Sequence, residues 1–183
     1  MELTSGHRLQ TFAKIRIHNI NITNTSVEIK ILDKLKTSNI TKAQPILIFP
    51  DFSNKPELCI SNTIKYYLTY TRRTRSSMDD NLILTHKRSF RAASSQTISR
   101  WIKQVLNESG IDTERFSGYN VRHASTLAAL RGGLHIETIR KSAGWTDKSN
   151  IFTQFYNRLR QIKENFAEVV FKGSNVRVNN QNQ

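Results

Sequence analysis

Between Gly118 and Arg158 the chain places three chemically suggestive residues at ordered intervals: Arg122 beside His123 in "YNVRH", Trp145 between Gly144 and Thr146, and Tyr156 in the aromatic, basic run "FTQFYNR". A phenol can attack phosphorus, hold a broken phosphodiester as a covalent ester, and leave again more easily than an alkyl alcohol. Such a route requires neither a metal nor a high-energy cofactor. Its transition state gathers negative charge on the nonbridging oxygens, and an arginine fork is well shaped to hold it. Each residue also has a plainer reading. An arginine in a basic chain is usually solvated or a DNA-backbone contact, and Tyr156 among Phe152 and Phe155 could pack a core or an interface.

The elements that must position these residues can be read from periodicity. In the first half Ile15 and Ile17, then Val27, Ile29 and Ile31, then Ile46, Leu47 and Ile48 show β-branched, period-two patterning, which predicts short strands in a small antiparallel sheet. From Pro56 the period becomes helical, with Ile60, Ile64, Tyr67 and Leu68 on one face and Pro56 at the first helical position. A basic connector follows, and then "SSQTISRWIKQVLNESG", a helix with Ile98, Trp101, Ile102, Val105 and Leu106 on its apolar face, Ser94 or Ser95 as cap and Gly110 at its end. Shorter helices are predicted over about 120–130, over about 136–142 and around Tyr156. A last one uses Ile162, Phe166, Val169 and Val170, and 172–183 reads as a polar, disordered tail.

The 183 residues suit one main domain. Lys and Arg number 28 against 14 for Asp and Glu, a net charge of +14 that points to a polyanion, with nucleic acid ahead of an anionic membrane surface. The lone Cys59 excludes an internal disulfide and fits a reducing compartment as a small core residue; no Cys/His cluster suggests zinc. There is no membrane-spanning apolar run and no signal peptide pattern, which predicts an intracellular protein. His7, His18 and His86 read as surface residues, and Trp101 as core.

With "SGHRLQTFAKIRI" added at the start, the chain resembles the tyrosine recombinases, also called the phage integrase family, and in particular those of eukaryotic mobile elements. The resemblance runs from about Ser5 to Arg158 and rests on several motifs in the family's order. It matches Gly6-His7-Arg8 to the first arginine box, Arg122-His123 to the second, Gly144-Trp145 to the third and Tyr156 to the nucleophile. The lysine of the following hairpin falls on Lys36 in "LKTS", with Lys34 and Lys42 as competitors. The fold implied is mainly helical with a small N-terminal three-stranded antiparallel sheet, the catalytic-domain fold of the family, over 1–171. The function implied is DNA cleavage and rejoining through a 3'-phosphotyrosyl intermediate at Tyr156. In it Arg8 and Arg122 hold the phosphate, Lys36 protonates the leaving 5' oxygen, and Trp145 packs against the arginines or donates its indole N–H. No cofactor or metal is implied. The partners are double-stranded DNA and three further copies in a homo-tetramer, in the nucleus.

This chain departs from the family's pattern at two places. Tyr119 stands where histidine or lysine is usual, and a phenol donates a hydrogen bond but is a poor base at neutral pH; Thr11 stands where an acidic residue is frequent. Those departures, and a first box so near Met1 that the family's helical clamp domain is expected to be missing, keep an alternative open: an inactive, domesticated recombinase that only binds DNA. Residues expected on the DNA are Arg72, Arg73, Arg75, Lys87, Arg88, Arg91, Arg100, Lys103 and Arg158.

Overall fold

In the computed structural model, which describes residues 1–35, 44–75, 80–87 and 89–145, three short strands pair in sequence order. They are β1 (Ile20–Ile22), β2 (Ser26–Lys30) and β3 (Ile46–Pro50), both pairings antiparallel. Val27 lies opposite Phe49 and Ile29 opposite Leu47, so these four share one face, and all are buried. The expected third strand therefore turns its other side inward: Leu47 and Phe49 are the core residues. Ile46 and Ile48, 55% and 60% exposed, instead border a groove of ≈ 450 Å³ with Leu3, Ala128, Leu134 and Ile139.

The first strand also differs from the expectation. Ile15 is fully buried, but its carbonyl accepts the Leu82 N–H and the Ile17 N–H donates to Asp80 O, so this backbone bonds to a distant segment instead of to β2. Ile17 opens a 3-10 turn, and the strand begins only at Ile20.

Six helices flank the sheet among the described residues: α1 (Glu2–Ser5), α2 (Leu9–Ala13), α3 (Ile60–Thr71), α4 (Ser95–Glu108), α5 (Gly118–Arg131) and α6 (Ile136–Ala143). Pro56 starts a separate 3-10 turn, Pro56–Leu58, and the extended Cys59 divides it from α3. Cys59 is fully buried, as a small core residue would be. In α4, Ser94 accepts the Thr97 N–H at 3.1 Å, and Gly110 follows the end with φ +76°. Ile98 joins Phe12, Ile15, Ile64 and Leu82 in the core, with Trp101 and Ile102 against its edge, whereas Val105 is 59% exposed. Only the inner part of the α4 stripe joins the core.

The connector between α3 and α4 is fastened by Arg75. Its guanidinium donates to Thr71 Oγ1 at 2.9 Å, to Asn81 O at 2.6 Å and to Leu82 O at 2.7 Å, and lies 5.7 Å from the Tyr67 ring centre. The first compact unit ends at Trp145. The helices expected around Tyr156 and Ile162, the 172–183 tail, and Lys36, Lys42, Arg88 and Arg158 all lie outside the described residues.

Candidate phosphate-binding site

The site is built where α1, the start of α2, α5 and the end of α6 converge. In α5 the buried residues are Gly118, Arg122 and Thr126, four apart, one helix face that carries a charge where an apolar residue would be expected. Ser117 opens the helix, its N–H donating to Asn120 Oδ1 at 2.9 Å. Opposite this face α1 is held by Ser125, whose hydroxyl donates to Leu3 O at 2.6 Å.

Arg122 is 3% exposed. Its Nε donates to Gly6 O at 2.7 Å, its Nη2 donates to Ala143 O, and its guanidinium carbon lies 5.3 Å from the Trp145 ring centre. Two carbonyls and one indole face therefore fix the plane of the fork, which strengthens it as a prearranged anion ligand. Arg8, the residue before α2, donates from Nη1 to Gly144 O at 3.4 Å. Both arginines thus reach the C-terminal end of α6, where unpaired carbonyls gather partial negative charge. Gly144 ends that helix at φ +60°, and Trp145, whose N–H returns to Arg140 O, is buried at 7% exposure. A glycine followed by a broad ring is what this turn requires: a left-handed cap, then a surface for the guanidinium.

Gly6 has a second such requirement. At φ +63° it closes α1 and presents its carbonyl to Arg122, and an added Cβ would stand 3.1 Å from Thr126 Cγ2. Gly6→Ala is expected to cost about 1–2 kcal/mol, from left-handed strain and this contact. Urea unfolding would read it, and an unchanged stability would show that the turn does not hold Arg122.

Arg8, Arg122, Tyr119, Ser99, Ser117 and Glu2 line a hollow of ≈ 260 Å³, large enough for a phosphate group. Tyr119 is 54% exposed, its ring set edge-on to His123 with centres 4.4 Å apart. Burial first, and then Arg122, hold the His123 imidazole below the usual histidine range.

Two residues of the site had not been expected. His7, read from the sequence as a surface residue, is only 5% exposed. Burial, with Arg122 and Arg8 nearby, pushes it down from 6.5 to about 4. Glu2 is 8% exposed and its carboxyl is pushed up from 4.5 to about 7, by burial against the opposing pull of the Met1 amine and Arg122. Nothing in the local pattern marks Glu2; His7 could have been suspected because the box encloses it between Gly6 and Arg8. His18 and His86 are exposed as expected, His18 pairing with Asp80.

These two groups make opposite demands on stability. As pH falls from 6.5 to 4 the unfolded chain protonates His7 and the folded one does not, so stability is lost on acidification. As pH rises from 4.5 to 7 the folded chain keeps a proton on Glu2 that the unfolded one has released, so stability is lost on alkalinisation. Each effect amounts to about 3 kcal/mol, and in the wild type they largely cancel. Glu2→Gln should therefore lose stability toward pH 4 and His7→Asn toward pH 7, relative to the parent, in urea titrations. Curves parallel to the parent for both variants would contradict the two burials.

Of the residues expected on DNA, Arg72, Arg73, Lys87, Arg91, Arg100 and Lys103 are exposed, Lys103 within 3.4 Å of Glu114. Arg75 differs from these, since its donors hold the connector. Among the described residues no group of three or more His, Cys, Asp or Glu could hold a metal ion, and no helix is long and apolar enough to cross a membrane.

The sequence model of the phage integrase family matches residues 1–162. The chain belongs to this family, the tyrosine recombinases, and its described part has the family's catalytic-domain fold, mainly helical with the three-stranded antiparallel sheet near the N-terminus. The chain is similar to the solved XerA recombinase, with a TM-score of 0.60 and 18% identity over 97% of this chain and 54% of that one. It is similar also to the XerH site-specific recombinase bound to difH substrate before cleavage (0.62; 14%; 85% and 40%) and to a lambda integrase dimer bound to a COC' core site (0.53; 15%; 87% and 41%). The chain spans about half the length of these solved relatives or less. No curated protein sequence matches it.

Proposed function

We propose that the chain is the catalytic part of a recombinase that cuts and rejoins duplex DNA through Tyr156. The observation that carries this reading is the convergence of Arg8 and Arg122, 114 positions apart in sequence, on one hollow of phosphate size. In the reaction the Tyr156 hydroxyl oxygen attacks phosphorus, and the P–O bond to the 5' oxygen breaks. Lys36, in the connection between β2 and β3, gives that oxygen its proton. The 3'-phosphotyrosyl ester is then attacked by the 5' hydroxyl of another strand, and the tyrosine departs. Arg8 and Arg122 stabilise the charged oxygens in both steps, Trp145 keeps Arg122 in place, and Tyr119 donates a hydrogen bond at the rim. No metal enters either step.

The exposed Arg72, Arg73, Lys87, Arg91, Arg100 and Lys103, together with Arg88 and Arg158, would follow the DNA backbone, giving an affinity that falls steeply with salt. Assembly as a tetramer on two sites, an origin in a mobile element and a nuclear location belong to the same reading.

The test uses nicked duplex oligonucleotides, which lose the rejoining end after cleavage and so trap the covalent product, resolved on a denaturing gel. An adduct that requires Tyr156 supports the enzyme. Salt-sensitive binding without any adduct, even with a helical clamp domain fused in front, would leave a DNA-binding module.

A further inference from the structure

One buried ionisable group beside the hollow has no part in the steps above. Glu2 is 8% exposed, and its Oε2 is closed off from solvent with no hydrogen-bond partner. That oxygen lies 3.9 Å from where a Cβ on Gly118 would stand, and the residue shares the lining of the hollow with Arg8 and Arg122. A glutamate on a four-residue surface helix would ordinarily turn to water. Here the packing of α1 on α5, with Ser125 bonded to Leu3 O, keeps it inside. An acceptor left unsatisfied at that depth is costly, so a proton or a donor is needed there.

A phosphodiester entering the hollow meets two guanidinium groups and this one carboxyl. Ionised, the carboxyl would repel the phosphate oxygens; protonated, it carries no charge to repel them. We propose that Glu2 is a proton-linked group of the phosphate site: with the hollow empty its carboxylate balances the arginines, and on DNA binding it takes up one proton, which removes its negative charge from beside the phosphodiester. This rests on reading the hollow as the recombinase phosphate site.

The groups facing Glu2 are the Met1 amine on its own segment, Arg8 at the head of α2, and Tyr119 and Arg122 on α5; α4 contributes only the neutral Ser99. His7 and His123, both held below the ordinary histidine range, change little above pH 6.5. Around neutrality two charges change there: that of Glu2, whose free carboxyl titrates near 7, and that of the Met1 amine, which burial holds below its usual range.

The experiment measures binding of an intact duplex by fluorescence anisotropy from pH 6.5 to 8.5 in the Tyr156→Phe chain, with and without Glu2→Gln. Affinity should fall about tenfold across that range in the parent, because binding then requires a proton that is increasingly scarce. The Gln chain should keep only the shallower slope that the Met1 amine contributes, and bind about tenfold more tightly than the parent at pH 8.5. Equal slopes in the two chains would overturn the proposal. If Glu2→Gln fails to fold, calorimetry at pH 8 in buffers of different ionisation enthalpy, on the parent and on the chain acetylated at Met1, decides: uptake of about one proton that persists without the amine supports Glu2, and none overturns it. Strong binding without proton uptake removes only the role of Glu2, whereas absence of binding at low salt at every pH removes the recombinase reading and this role with it.

Discussion

Tyr156→Phe is expected to abolish the covalent adduct on nicked duplex while leaving DNA affinity within about twofold. The substitution removes one oxygen and keeps the ring. Loss of a covalent nucleophile costs on the order of 10⁴-fold or more in rate, because phenylalanine has no oxygen with which to form the ester. On the proposed reading the basic surface and the two arginines supply the binding, and they do not depend on that hydroxyl. Quantitative gel analysis with matched binding isotherms separates the two effects. An adduct that survives Tyr156→Phe would assign the nucleophile to another residue, and binding lost together with the adduct would mean that Tyr156 holds structure.

Arg122 should produce the next largest effect, and on two properties at once. Arg122→Ala leaves Gly6 O and Ala143 O buried without their donor and removes the contact with Trp145. Each stranded carbonyl costs about 1–3 kcal/mol, so a loss of about 3 kcal/mol in stability is expected. Cleavage should fall on the order of 10³-fold, because a fixed charge-stabilising donor contributes at that scale. Arg122→Lys distinguishes charge from shape. An ammonium keeps the charge but cannot present a planar fork to two carbonyls and a phosphate together, so most of the rate loss should remain. Adduct formation measured well below each variant's unfolding midpoint reads the rate apart from the fold. A lysine variant that cleaves at the wild-type rate would mean that charge alone suffices.

The importance of Arg122 explains why part of the site could be read from the sequence and part could not. The arginine boxes and Gly144-Trp145 were legible through the family resemblance, whereas the caps at Ser94 and Gly110 follow from short-range rules, since a left-handed turn or a capped helix is decided within a few residues. Hydrophobic periodicity also located α3 to α6 and the strands β2 and β3. It worked less well where the site lies: the inner face of α5 carries Gly118, Arg122 and Thr126, and nothing in that stripe looks buried.

By itself the sequence determined the family, the order of the boxes, the types of α3 to α6 and of β2 and β3, and the excess of positive charge, because each depends on residue identity and on spacing along the chain. The tertiary structure alone decided that β3 faces inward through Leu47 and Phe49, that the Ile15 backbone pairs with a distant segment, and that Arg75 ties a connector. It also decided that His7 and Glu2 are buried beside the arginines. The ionisation of those two groups depends on lost water and on charges brought close by folding: Arg122 reaches Gly6 across 116 positions, a neighbourhood that no local pattern in the sequence encodes.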